Sequence, residues 1–160
     1  MLQQWIVLAH IVAGSMLIAG NAAALYSTAR ARREGTPAAI LALMLVHHKA
    51  IMTLVVPGAI VVLASGLWLA NHVGYPLDSL WLTLSFAAWV AAFGLGLWPL
   101  LPSEARAIKE ANRQVDANEP APSEALTRAV GVGNPTIWVT EHIQLYLMLG
   151  FLYLMVFKPS

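Results

Sequence analysis

Long apolar runs separated by short polar intervals dominate the chain. They cover about residues 4–29, 49–71, 79–101 and 136–157, and none carries an ionisable residue other than histidine in its middle. Each is long enough to cross a hydrocarbon core of about 30 Å as a helix of roughly 20 residues. The runs are continuous and show no ten-residue alternation, so helices are predicted here and not the strands of a lipid-facing barrel. The pattern predicts an all-α transmembrane four-helix bundle forming a single domain over residues 1–160, with helices at about 4–29, 38–71, 79–101 and 136–157. The first run is read as a retained helix, since "MLQQWIVLAHIVAG" lacks the basic start of a secretory signal.

The polar intervals supply the punctuation. Gly35 ends the first helix, and Thr36 with Pro37 provides an N-cap and first turn for the second, which therefore begins outside the hydrocarbon. Pro57 is expected to kink it. The third helix should leave the membrane through Pro99 and Pro102 and give way to a loop over 102–135, with helical stretches capped by Ser103 and Ser123 and broken at "NEPAP". This loop reads as an amphipathic hairpin lying on the membrane surface or as a docking arm for a partner subunit.

Composition agrees with a membrane protein: 59% of residues are hydrophobic and 11% charged, about half the charge of an ordinary soluble domain. Basic residues accumulate in short cytoplasmic loops. Arg30, Arg32, Arg33, Lys49, Arg106, Lys109, Arg113 and Arg128 all fall on one side, against Lys158 on the other, so both termini should face outward and the 102–135 loop inward. A multi-pass protein of a bacterial inner (plasma) membrane is expected. Trp5, Trp68 and Trp81 would then sit near the outer interface, and Trp98 and Trp138 near the inner one. The net charge of +1 leaves no footprint for nucleic acid.

The chain has no cysteine, which excludes disulfides, iron–sulfur ligation, thiolate zinc sites and covalent c-type haem. Any metal would rest on histidine, carboxylate or methionine. Ionisable residues within spans are costly and mark functional sites, so the five histidines carry most of the chemical information. At 100° per residue, His47, Gly58, Ser65 and His72 share a face of the second helix, and His48 lies to one side of it. His10, Gly14, Leu17, Asn21 and Thr28 share a stripe of the first helix, Ser85, Ala88, Ala92 and Gly96 one of the third, and His142, Tyr146, Leu149 and Tyr153 one of the fourth. Three helices thus offer a histidine to the bundle interior. Depth makes His47 or His48 with His142 a candidate axial pair for one haem, Lys49 or Arg30 to Arg33 being available to its propionates and Gly58 leaving room for a flat group. The opposing reading makes these histidines interhelical hydrogen-bonding residues or headgroup anchors.

"LAHIVAGSMLIAG", "VVPGAIVVLASGLWLA", "WLTLSFAAWVAAFGLGLWPLLP" and the terminal "FKP" resemble the integral-membrane domain-of-unknown-function family 2269, similar in layout to the copper-resistance protein D and HemJ-type (protoporphyrinogen oxidase-like) group. The resemblance covers nearly the whole chain and implies a four-helix membrane fold. In HemJ-like relatives a helix-one histidine is associated with haem b, and His10 matches it; Glu141 resembles the acidic residue opening the last helix, and Lys158 with Pro159 the terminal pair. Ser85 stands where those oxidases carry a lysine, and no histidine lies near Gly96, which disfavours porphyrinogen oxidation.

The expectation is therefore a small membrane protein that binds haem b, through His10, His47 or His142 as iron ligands, and takes part in or assists electron transfer. It would contact the bilayer and a larger respiratory complex or further copies of itself. The alternatives are a cofactor-free accessory or assembly subunit and, behind both, a HemJ-like oxidase; catalysis by this chain itself is not the leading expectation.

Overall fold

The computed structural model describes residues 1–157; Lys158 and Pro159, which carry part of the family resemblance, lie outside the described residues. The helices are α1 (Leu2–Ala31), α2 (Pro37–Val73), α3 (Leu80–Asp116), α4 (Glu124–Ala129) and α5 (Pro135–Phe157). α1, α2, α3 and α5 are each long and apolar enough to cross a membrane, as the apolar runs predict. No strand occurs among the described residues.

Local chemistry sets the boundaries. Thr36 accepts the Ala39 backbone N–H as N-cap of α2, with Pro37 at its first position. α2 ends at Gly74, whose φ of +83° is the left-handed conformation that glycine adopts without a Cβ penalty. Ser123 caps α4 through the Leu126 N–H.

α3 differs from expectation. It does not end near residue 101 but continues through Pro99 and Pro102 to Asp116. A proline inside a helix normally breaks it because the amide hydrogen is missing. Here a π-helical turn over Gly96–Leu100 absorbs the defect, the Leu101 N–H reaching back five residues to the Gly96 carbonyl. Ser103 is consequently no N-cap; its hydroxyl donates to the Ala129 carbonyl instead. α2 repeats the device: a π turn over Ile51–Val55 ends where Val56 N–H meets the Ile51 carbonyl, immediately before Pro57.

Each of these two helices has 37 residues and so a length of about 55 Å, roughly 25 Å more than the hydrocarbon needs. The excess projects from the basic end, since α2 begins there and α3 ends there. Pro37–Ala50 packs on Leu101–Asp116, and together with the end of α1 and with α4 they bury Ala31, Ile40, Met44, Ala107, Ala111, Leu126 and Val130. The expected surface hairpin is thus part of a folded cap with its own core.

Within the membrane the helices form two pairs. α1 lies along α2, and α3 along α5. Small residues permit the first pairing: a Cβ on Gly58 would stand 3.0 Å from the Ala13 carbonyl oxygen, and one on Gly20 2.7 Å from Val55 Cγ2. The space above Gly58 is therefore filled by α1. At the far end Ala70, Trp81 and Leu82 cluster with Tyr75, Leu154 and Met155. Trp81, expected as an interface anchor, is only 7% exposed because it packs edge-on against Tyr75 in this cluster; Trp5, Trp98 and Trp138 are exposed, as interfacial rings should be.

Candidate functional site

Where the pairs part, close to the cap, they enclose a cavity of about 160 Å³. Both π turns reach it, through Ile51, Met52 and Val55 on α2 and Gly96, Leu97 and Leu100 on α3. Met52 and Leu97, which line it, are also exposed on the surface of the molecule. Most of its wall is apolar. The polar exceptions include Asn21 and Thr28 on α1, His47 on α2, Glu104 on α3, and Glu141 and Gln144 on α5.

Glu104 is 5% exposed and is reached by two imidazoles of α2. His48 Nδ1 donates to Glu104 Oε1 at 2.6 Å, and His47 Nε2 lies 3.7 Å from Oε2. At the latter distance no hydrogen bond joins the pair. The other nitrogen of His47 lies 3.1 Å from the Ala24 carbonyl and 2.9 Å from Thr28 Oγ1. A carbonyl only accepts, and the Thr28 hydroxyl donates to that same carbonyl, so Nδ1 carries the hydrogen and Nε2 is left free towards Glu104.

A second ion pair, partly buried, closes the cap side. Arg32 Nη2 lies 2.7 Å from both oxygens of Glu141, while its Nε donates to the Val130 carbonyl at 2.8 Å. Gly131, with φ of +96°, lets the chain pass over this guanidinium; a Cβ there would stand 2.7 Å from Arg32 Nη2. Gln144 completes the polar lining, and its buried Oε1 has no hydrogen-bond partner among the described residues.

The residues singled out from sequence are distributed over several places. His47 lines the cavity and His48 joins it through Glu104, whereas exposed Lys49 points away from the lining. His10 lies further along the α1/α2 interface, its Nδ1 2.9 Å from Ser65 Oγ and its Cε1 facing Gly66. His142 is not in the cavity wall; its Nδ1 donates to the Trp138 carbonyl at 2.7 Å and its ring packs at a tilt of 33° against that of Trp138. Tyr146, Leu149 and Tyr153, on the same stripe, are exposed. The face of α5 turned inward is that of Glu141, Gln144, Leu145 and Met148. Helical periodicity had grouped the His142 stripe correctly but could not say which way it faces, and tyrosines are at home at the lipid surface. His72 stacks on Trp68.

No group of three or more metal-ligating side chains is assembled among the described residues. As placed, His10, His47 and His142 do not form an opposed pair across the cavity. The 160 Å³ present compares with the void of about 150 Å³ that holds one benzene-sized ring. Sequence reasoning missed Glu104 and Gln144. The absence of any Gly or Asn between Leu97 and Ala111 was the available sign that α3 continues and carries Glu104 with it.

A family described as predicted integral membrane protein (DUF2269) matches residues 4–159. No curated protein and no solved structure matches.

Proposed function

The chain belongs to the DUF2269 family of predicted integral membrane proteins, and from that premise we propose that it binds a lipid-soluble hydroxylated aromatic ring, of the phenol or quinol class, in its intramembrane cavity. Three features support this. The cavity has the volume of a single ring. Its lining includes exposed apolar residues of two membrane-spanning helices, Met52 and Leu97, past which an apolar ligand would enter from the bilayer. The observation that carries the reading is Gln144, part of this mostly apolar lining, whose buried Oε1 lacks a donor among the described residues; an orphaned acceptor costs about 1–3 kcal/mol, and a ligand O–H would supply the bond. Quinols are the redox-active members of this class, which keeps the protein in membrane electron transfer. The basic residues support placing the cap on the cytoplasmic side of a bacterial inner membrane.

The test is binding of 4-nitrophenol to the purified protein in detergent. Saturable binding is expected, weakened about tenfold by Gln144→Leu and abolished by Leu145→Trp, which fills the cavity. Absence of binding to a protein with a cooperative thermal transition overturns the proposal and leaves the accessory-subunit reading. Haem b is the second reading, favoured by the presence of His47 in the cavity wall; His47 would hold it and would need a further ligand beside it. A reduced-minus-oxidised visible spectrum after expression with ample haem decides between them.

A further inference from the structure

We propose that His48, Glu104 and His47 form a proton relay joining the aqueous surface of the cap to the intramembrane cavity. For the group that the proton meets in the cavity, this rests on the hydroxylated-ring reading above. Glu104, 5% exposed, lies between the wet His48, 46% exposed, and His47, 18% exposed, and both Glu104 and His47 line the cavity. A carboxylate placed between two imidazoles, one wet and one facing a ligand pocket, is the arrangement that proton transfer across a dry layer requires.

The hydrogen bonds give the relay its direction. Because His47 Nδ1–H is committed to the Ala24 carbonyl and Thr28, Nε2 is the nitrogen left to exchange a proton. A ring hydroxyl in the cavity transfers its proton to Nε2, breaking O–H and forming N–H, and leaves a phenolate. The imidazolium then passes that proton to Glu104 Oε2 as the 3.7 Å gap closes. His48 exchanges with water to the tautomer that carries its hydrogen on Nε2, which frees Nδ1 to accept the proton from Glu104; Nε2 then releases its own proton to the cap-side solution, and Nδ1–H is restored. The His47 ring regains its starting state, no electron moves, and the step is reversible.

Other charged groups are placed so as not to compete. Arg32 and Glu141, which line the same region, are satisfied by each other and by the Val130 carbonyl. Lys49, next to His48, is exposed and has no part in the chain of contacts. The Ser103 hydroxyl, next to Glu104, is committed to Ala129.

4-Nitrophenol distinguishes the outcomes because its phenol and phenolate absorb differently. When the pH is stepped across the probe's own pKa, probe bound to the wild-type protein should switch rapidly between phenol and phenolate, with a matching proton change in a bulk pH indicator. Glu104→Gln, which keeps the shape but cannot carry the proton, should slow that switch at least about tenfold, and His48→Gln, a change near the surface, should slow it as well. A switch as fast in both variants as in the wild type would overturn the relay while leaving the ring site standing. No binding at all would instead remove the ring site.

Discussion

Glu104 is held by neighbours that come from one helix only, and both are titratable: His47 and His48 approach its two oxygens from α2. Arg32 differs, since its guanidinium binds a carboxylate of α5 and a carbonyl of the segment leading to it. Removing one partner of such a partly buried pair leaves the other short of its charge-assisted hydrogen bonds. Arg32→Ala should therefore destabilise the fold by about 2 kcal/mol, and Arg32→Lys should recover less than half, because an ammonium cannot serve Glu141 and Val130 in one plane; thermal unfolding in detergent measures both. The glycines give a sharper comparison. Gly20→Ala would press a Cβ to 2.7 Å from Val55 and 2.8 Å from Leu54, whereas nothing lies within 4 Å of a Cβ on Gly14. Gly20→Ala should cost about 1–3 kcal/mol and Gly14→Ala nothing measurable, although the sequence presents the two as equivalent small residues on one apolar helix.

At the scale of elements, the two π turns make α2 and α3 more than membrane spans. Each lies between an apolar half and a half that projects into the cap, and each is followed at once by a proline-containing step, Val56–Pro57 and Leu101–Pro102. The five-residue hydrogen bond lets the helix continue past the missing donor, so both projections survive to pack on one another. The cap's own articulation depends on Gln114, fully buried, which donates to Glu110 and Ser123 and accepts the Ser123 N–H. Gln114→Leu should strip the α4 cap of these bonds and make the 117–123 connection cleavable by added protease at concentrations that leave the wild type intact. Glu110 adds an acid limit. Hydrogen bonds from Arg113, then from Gln114, draw its carboxyl down from 4.5 to about 2. A depressed folded pKa contributes stability above the unfolded value and loses it as pH falls through the folded one. The cap should therefore loosen between these two values on acidification, and Glu110→Gln should flatten that part of the profile when unfolding is followed against pH.

The whole molecule is two helix pairs joined by the cap and by a small cluster at the far end, with the cavity where they separate. Its orientation is open to direct test because the chain has no cysteine. With the cap in the cytoplasm, Asn118→Cys should resist a membrane-impermeant maleimide applied outside intact cells, while His72→Cys, at the opposite end of α2, should react. Sequence alone determined the class of the protein: four apolar runs of membrane-spanning length, no cysteine, and a basic side that fixes the expected orientation. These follow from composition and period, properties local to each run. It also determined the caps at Thr36 and Ser123, which depend on neighbours within three residues. Only the tertiary structure decided that α3 outlasts its prolines, because the energy that sustains Leu101–Asp116 comes from packing on Pro37–Ala50 and α4. It likewise decided that α5 turns Gln144 inward and His142 outward, and that His47 and His48, side by side in sequence, meet again on a carboxylate 56 positions after His48. Periodicity places residues on a common face, but which face is buried depends on what another helix brings to it.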